Sequence, residues 1–462
     1  MKKICVLLAL LLLSSFFIMP INAAHSDFDV RSGILVKYSG TDTDVTVPDS
    51  VSEIGAGAFE NNTSLRSVTL HDKVYAIGDR AFYGCTSLST VSGGNSVGRV
   101  GDMAFRHTPY LENSTAKYLM LGNTLLWYNG TSDSVSIPLR CTAVASYAFA
   151  KCTYLKSFTA NEGLISIGTG AFYGCSSLAA VNLPSTVSEI GAYAFDGTPY
   201  LQKAGDFVTE GDGVLIRYQG SETDVIVPDS VSRIAPHAFS SSKMKSVIIP
   251  ASVYAIDAYA FADCVGLETV SFSEGLVTVG DGAFRGCKSL KELITPATLS
   301  YIGQGAFRGD ASVTSAAICG SDLTLSYNAF KDCTALNYTL LSDGVSAVLD
   351  NAFDGCTALE GLSVSPETKD ISSQALSGCD KAVVCCMQDS AAASAFDQTN
   401  TIMGDADTDN SLNIVDATLI QLYIARIHPL NGTQIASSDV NFDGEINVLD
   451  PVEIQMELAH LI

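Results

Sequence analysis

Basic side chains are scarce in this chain: 26 Lys and Arg stand against 49 Asp and Glu, a formal net charge of −23. A surface of that sign repels nucleic acid and anionic membrane, so neither is an expected partner. Long apolar runs are scarce too. The one from Ile4 to Ile18 follows Lys2 and Lys3 and precedes the small residues Ala23 and Ala24. It reads as a secretory signal peptide over residues 1–24, with no membrane span after its cleavage. Cys5 lacks a preceding lipobox, and no Leu-Pro-x-Thr-Gly sorting motif occurs, so neither lipid nor wall anchoring is expected. Catalytic patterns are missing as well. There is no G-x-S-x-G, phosphate-binding loop or H-E-x-x-H, and the six His (25, 71, 107, 237, 428, 460) show no metal-ligand spacing. No carboxylates pair at matching places for glycosidase work. An enzyme is not the expected reading.

What the chain has is repetition. "EIGAGAFENNTSL", "AIGDRAFYGCTSL", "SIGTGAFYGCSSL" and "TVGDGAFRGCKSL" are copies of one unit. Its Phe recurs at 59, 82, 105, 149, 172, 195, 239, 261, 284, 307, 330 and 353, with Leu376 in the last copy, a step of about 23 residues that marks a solenoid. Longer units, such as "GNTLLWYNGTSDSVSIP", fill the wider gaps. Each reads as two strands around a turn, a hairpin or strand pair, with Tyr38, Tyr128 and Tyr218 equivalent. One coil cannot bury places such as Leu178, Val181, Leu183, Val187, Ile190 and Phe195; stacked coils bury them in a shared core. The short alternating segment before each Pro becomes one strand of a parallel sheet. Its outward residues are small and neutral (Ser67 and Thr69, Ser157 and Thr159, Ala180 and Asn182), with no aromatic stripe.

Thirteen cysteines would ordinarily suggest disulfides, yet eight of them (85, 152, 175, 264, 287, 333, 356, 379) share the place three residues after the Phe or its equivalent. Asn62, Thr108, Thr198, Ser242 and Asp310 replace them elsewhere. The pattern favours a buried ladder of small side chains. Bridges between stacked neighbours stay open as the alternative. Cys385 and Cys386 are expected in the final strand, facing opposite sides. Arg308-Gly309-Asp310 spells an adhesive tripeptide but fills the ordinary "AFxGC" slot. Tyr110 and Tyr200, in the two "TPYL" segments, mark a candidate ligand edge.

The repeated "IGxxAFxGCxxL" and "IPxSV" elements resemble the BspA-like leucine-rich repeat family of bacterial surface proteins. The resemblance covers roughly residues 27–400 and sets a solenoid with its helical cap at 25–402. It implies a leucine-rich-repeat solenoid of short parallel strands and an adhesive or binding role toward a protein or polysaccharide that the sequence does not name.

Residues 404–462 hold one Arg, no Lys and many carboxylates. "DADTDNSLNIVD" (405–416) and "DVNFDGEINVLD" (439–450) repeat one order of oxygen ligands. Side chains of Asp405, Asp407, Asp409 and Asp416 with the Ser411 carbonyl suit one calcium. Asp439, Asn441, Asp443 and Asp450 with the Glu445 carbonyl suit a second. Gly444, or Asn410 in the first loop, makes the sharp turn. "ATLIQLYIARI" and "PVEIQMELAHL" follow as helices, whereas "QTNTIMG" and "GTQIASS" before the loops do not read as helical. Two loop-helix F-hands of this kind resemble a small all-α, calcium-binding dockerin of the type I-like kind over residues 403–462. The resemblance implies two calcium ions and docking onto a cohesin module of a scaffoldin, within a cellulosome-like complex that would keep the secreted protein at the cell surface. By family position the cohesin contacts fall on Ile414, Val415, Gln421, Leu422 and Arg426, and on Val448, Leu449, Gln455, Met456 and His460. The reading is a secreted, non-catalytic binding or adhesion protein on a calcium-dependent handle. A cellulosomal enzyme or accessory factor in plant polysaccharide degradation, and a structural spacer, are the rivals.

Overall fold

The computed structural model describes residues 27–202, 205–387, 390–396, 400–401, 403–409 and 411–459; the segment read as a signal peptide lies outside them. The chain divides into two compact units, Met1–Gly130 and Thr131–Ile462. Both are built from the same coil. Each coil is too short to enclose its apolar residues, so it closes its core only against the next. A coil gives one strand to each of two parallel sheets. In the first unit Ile34–Tyr38, Glu53–Ile54, Ala76–Ile77 and Arg99–Val100 form one sheet, and Asp44–Thr46, Ser67–Leu70 and Thr90–Gly93 the other. In the second unit one sheet runs through nine strands, from Phe207–Glu210 to Asp370–Ile371. A six-stranded sheet, from Glu292–Ile294 to Val383–Cys386 and Asn400–Thr401, lines the last coils. The solenoid fold read from the repeats is the fold observed.

The repeat Phe rings stack coil on coil. Within the second unit Phe239, Phe261, Phe284, Phe307, Phe330 and Phe353 follow one another at 4.6–5.4 Å between centroids, with planes within 15°. That spacing is close to the ~4.8 Å between neighbouring strands. Burying each such ring contributes on the order of 1.5–3 kcal/mol. Tyr38 and Tyr218 take the ring's place in their coils, 5.1 and 5.0 Å from Phe59 and Phe239.

The cysteines form a second ladder, and the described ones are all free. Seven of the eight ladder thiols, all but Cys152, donate to the Phe carbonyl of the coil before, for example Cys85 to Phe59 at 3.0 Å, Cys264 to Phe239 at 3.1 Å, Cys287 to Phe261 at 3.3 Å and Cys356 to Phe330 at 3.1 Å. The hydroxyls of Thr108 and Thr198 donate instead to Phe105 and Phe195 of their own coils. Burial pushes the Cys85 thiol up to about 11, which keeps it protonated and unreactive. Cys386 faces the solenoid core and Cys385 the opposite side, as alternation requires. Their strand is not the last, however: Asn400–Thr401 pairs beyond it.

Two sequence readings are corrected. The two strands around the turn of each longer unit do not pair with each other. Ile34–Tyr38 and Asp44–Thr46 lie in separate sheets, because the coil must supply both. The hairpin forms with the preceding strand, as in Phe28–Arg31 with Ile34–Tyr38 and Tyr118–Leu121 with Thr124–Tyr128. Tyr110 and Tyr200 are not a ligand edge. Their rings close the Phe stacks at 5.4 Å from Phe105 and 5.3 Å from Phe195, where a coil lacks a following Phe.

Asp310 is fully buried in the ladder, so the tripeptide that contains it is closed to an adhesive receptor. Its Oδ1 accepts the Cys287 N–H at 2.7 Å, and its Oδ2 has no partner. Burial raises this carboxyl well above the usual range, against the opposing pull of the Cys287 and Gly286 N–H groups. The folded state therefore keeps a proton that the unfolded chain releases above pH ~4. The stability it carries is complete below that pH and is lost as pH rises toward the folded-state value. Asp310→Cys should raise stability by roughly 1–3 kcal/mol at pH 7.5, and by less at pH 4.5, in denaturant titrations at both pH values. An equal gain at both would contradict the buried-proton argument. A second expectation concerns the thiols: alkylation under denaturing conditions, read by peptide mapping, should label the ladder cysteines as free, and bridges among them would overturn the packing account.

Candidate functional site

The terminal loops are held by backbone N–H groups turned onto carboxylates. In the first, the Asp409 N–H donates to Asp405 and Asp407 at 3.0 and 3.1 Å, and Asp416 accepts from Asp407 and Asn413 at 3.1 and 2.8 Å. The second repeats this: the Asp443 N–H donates to Asp439 and Asn441 at 3.1 and 3.0 Å, and Asp450 accepts from Val440 and Asn447 at 3.0 and 2.8 Å. Thr408 and Phe442, at the fourth place of each loop, are both left-handed, and Gly444 turns at φ +86°. Asn413 and Asn447 brace the helix starts by accepting from Val415 and Leu449 at 2.8 and 2.9 Å. Asn410 lies outside the described residues.

This donor set fits a hard divalent cation. Oxygens of Asp405, Asp407 and Asp416 lie within 4.8 Å of one another, with Asp405 and Asp416 fully buried. No Lys or Arg pairs with Asp407, Asp409, Asp416, Asp439, Asp443 or Asp450 among the described residues. Converging buried carboxylates without a basic partner are costly unless a cation compensates them. In the second loop burial, then Asp450 and Asp443, pushes Asp439 up to about 7, and burial pushes Asp450 to about 6. Asp409 and Asp443, at the fifth place, are both exposed, and Ser411 and Glu445 stand at the seventh, where a carbonyl ligand is expected. The Ser411 carbonyl also accepts from Asn413 at 3.0 Å.

Helices Ile414–Ile424 and Leu449–Leu458 follow the loops and pack through Ala406, Ala417, Ile420 and Ile454. "GTQIASS" is also a helix, Gly432–Ser438, contrary to the reading from sequence. Its cause is a capping box: Asn431 accepts the Gln434 N–H and Gln434 accepts the Asn431 N–H, both at 3.0 Å. The Asn-x-x-Gln spacing is the signal that would have found it.

This extra helix seats the terminal domain on the outward face of the six-stranded sheet. Gly432 N–H donates to the Glu360 carboxylate at 3.2 Å and the Thr433 hydroxyl to the Glu360 carbonyl at 3.0 Å. The second loop follows: the Asp343 N–H donates to the Phe442 carbonyl at 3.2 Å and the Cys319 thiol lies 3.7 Å from the Asp443 carbonyl. Leu340, Cys385, Met403, Ala436 and Phe442 close a small core between them. Gly361 has to be Gly here, because a Cβ would lie 2.2 Å from the Gly432 carbonyl oxygen. Cys385 and Asp443 were singled out from sequence for other reasons, and none of these residues was read as part of a seat. The available signal was the change of outward residues from Ser and Thr in early coils to Tyr338, Leu340, Val383 and Cys385 in late ones.

The residues expected to meet a cohesin fall in two groups. Ile414 and Val415 are 58% and 49% exposed, and Val448 and Leu449 are 65% and 53% exposed, matched places on the two halves. Gln421 and Arg426 are exposed, and Leu422, Gln455 and Met456 are half-buried. Arg426 is left-handed and ends its helix, its N–H donating to Tyr423 at 2.8 Å. His460 lies outside the described residues.

The model of the BspA type leucine rich repeat region matches residues 38–121, 120–204, 217–337 and 323–401, and that of the dockerin type I domain matches 403–459. Similar solved structures include a leucine-rich repeat protein of Eubacterium ventriosum (19% identity, 75% of this chain and 88% of that one, TM-score 0.38). A leucine rich cell surface protein of Faecalibacterium prausnitzii shares 26% identity over 80% of this chain and 93% of its own, with a TM-score of 0.29. The pneumococcal vaccine antigen PcpA shares 19% over 80% and 91%, with a TM-score of 0.34. No curated protein matches the chain. Among the described residues no helix is long and apolar enough to cross a membrane.

Gly361→Val should unseat the terminal domain. Amide exchange over 432–438 is expected to speed up by at least about tenfold while exchange in the coils around Phe261 and Phe284 stays unchanged. Unchanged protection at 432–438 would contradict the close approach at Gly361.

Proposed function

Because this chain belongs to the BspA-type leucine-rich repeat proteins and carries a type I dockerin domain, we propose that it is a secreted, non-catalytic binding protein whose repeat array is held on a cohesin-bearing scaffold by its terminal domain. The observation that supports this most is the pair of exposed apolar patches, Ile414-Val415 and Val448-Leu449, at the same places of two like halves. Exposed aliphatic pairs flanking a calcium loop are unfavourable in water unless something covers them. Their duplication lets the domain meet one cohesin face in either of two orientations. Two calcium ions, one per loop, order the patches by neutralising the loop carboxylates. On this reading the complex is cellulosome-like, the protein works outside the cell, and the array brings a ligand to the enzymes carried by the same scaffold.

Calorimetry of the full chain against a panel of type I cohesins, in calcium and in chelator, tests it. Ile414→Ala with Val415→Ala, or Val448→Ala with Leu449→Ala, should weaken binding only about twofold, since one orientation of two survives. All four changes together should weaken it at least about thirtyfold. Binding that persists in chelator, or no cohesin bound by the folded domain, would sink the proposal.

A further inference from the structure

Two residues before each repeat Phe the backbone is left-handed. This holds at Arg80, Met103, Tyr147, Tyr193, His237, Tyr259, Asn328 and Asn351, and at Gly57, Gly170, Gly282 and Gly305. Glycine suits such a place and a bulky ring does not. In the second unit rings nevertheless stand there at Tyr193, His237 and Tyr259. Tyr193 stacks on His237 at 4.6 Å and His237 on Tyr259 at 5.4 Å. Tyr193 and Tyr259 stay 45% and 37% exposed, so core packing does not account for them.

The ring ladder stops where Gly282 and Gly305 occupy the place in two consecutive coils. The ring of Tyr259 lies over Gly282, whose absent Cβ would fall 2.5 Å from it. Beside the ring a cleft of about 170 Å³ opens, lined by the two glycines and Asn328. Arg285 and Arg308, from the same two coils, line it as well, as does Gln304. Asp281 also lines the cleft, with its Oδ1 accepting the Gln304 N–H at 2.7 Å. Arg308 has only a 3.5 Å approach from Asp332, and Arg285 makes no ion pair among the described residues. In a chain with a formal net charge of −23, an unpaired guanidinium beside a second one is out of keeping with its surroundings.

We propose that this cleft binds a uronate unit of an acidic polysaccharide. The reading rests on the proposed role of the array as a ligand carrier and names the ligand's chemistry. Guanidinium groups take a carboxylate through paired charged hydrogen bonds. The Tyr259 ring, covered by His237 on one side and Gly282 on the other, still leaves an exposed apolar edge for a pyranose ring to rest against, and the amides of Gln304 and Asn328 suit the sugar hydroxyls. The cleft is smaller than the roughly 300–1,000 Å³ of enclosed ligand cavities, which fits one sugar unit of a longer chain rather than a free small molecule. The adjoining rings of His237 and Tyr193 extend the surface along the direction in which the coils stack, so neighbouring units of a polymer have somewhere to lie.

The test is calorimetry of the full chain at fixed free calcium with a galacturonate trimer, its methyl ester, a neutral xylose trimer and an aspartate trimer peptide. The galacturonate trimer should bind, and the ester and the neutral sugar at least about tenfold more weakly. Arg285→Gln with Arg308→Gln should cost at least about tenfold, and Tyr259→Ala a similar loss for the sugar. Cohesin binding by each variant should stay unchanged, and the thermal transition of the coils should keep its enthalpy, which together show that the chain is folded. Equal binding of the ester or of the peptide would overturn the assignment. So would no galacturonate binding by a chain that still binds cohesin, and that result would leave the docking proposal standing. Loss of cohesin binding by the unaltered chain, with galacturonate still bound, would instead remove the docking proposal alone.

Discussion

One coil of about 23 residues cannot exclude water from its own apolar side chains, and everything else in the structure follows from that. Coils must therefore stack, and stacking repeats every inward place at the strand spacing. The Phe rings, the thiols and the left-handed turns are each a ladder for this reason. An inward place has to suit the neighbours above and below it, so it tolerates little. Asp310 shows the strain of an exception, with one carboxyl oxygen tied to Cys287 and the other unpartnered in the core.

Outward places carry no such restriction, and the chain puts its chemistry there. On the six-stranded sheet the outward residues become Tyr338, Leu340 and Cys385 and receive the terminal domain. At the left-handed turns they become Tyr193, His237 and Tyr259 and then fall to glycine, leaving a cleft beside Arg285 and Arg308. The terminal domain is governed by the opposite condition. Its loops gather carboxylates, Asp405 with Asp407 and Asp416 in the first and Asp439 beside Asp450 in the second, in an arrangement that suits a divalent cation and has no counterpart in the coils.

The period, the Phe places and the thiol places were legible because each is dictated by one neighbour contact repeated many times. The two terminal loops were legible as a pair because the same side chains return at the same intervals and make the same backbone contacts in both. What sequence reasoning missed came from single contacts between distant segments. Gly432–Ser438 is short and rich in Ser, so composition spoke against a helix, yet the Asn431–Gln434 capping box and the sheet beneath it were enough. The strands of the longer units were paired wrongly because local turn chemistry favoured a hairpin, while the two-sheet coil sent Ile34–Tyr38 and Asp44–Thr46 apart. Tyr110 and Tyr200 looked like a surface edge only because nothing local shows that a Phe stack needs closing.

The central claim is that the array's core is made by stacking alone, while the terminal handle is made by a cation. Scanning calorimetry of the full chain in calcium and in chelator tests it most directly. Two transitions are expected in calcium: a smaller one from residues 403–459 and a larger one from the coils. Chelator should abolish the smaller or move it to lower temperature, and the larger should keep its enthalpy. A larger transition that collapses with the smaller, or two transitions indifferent to chelator, would contradict the account.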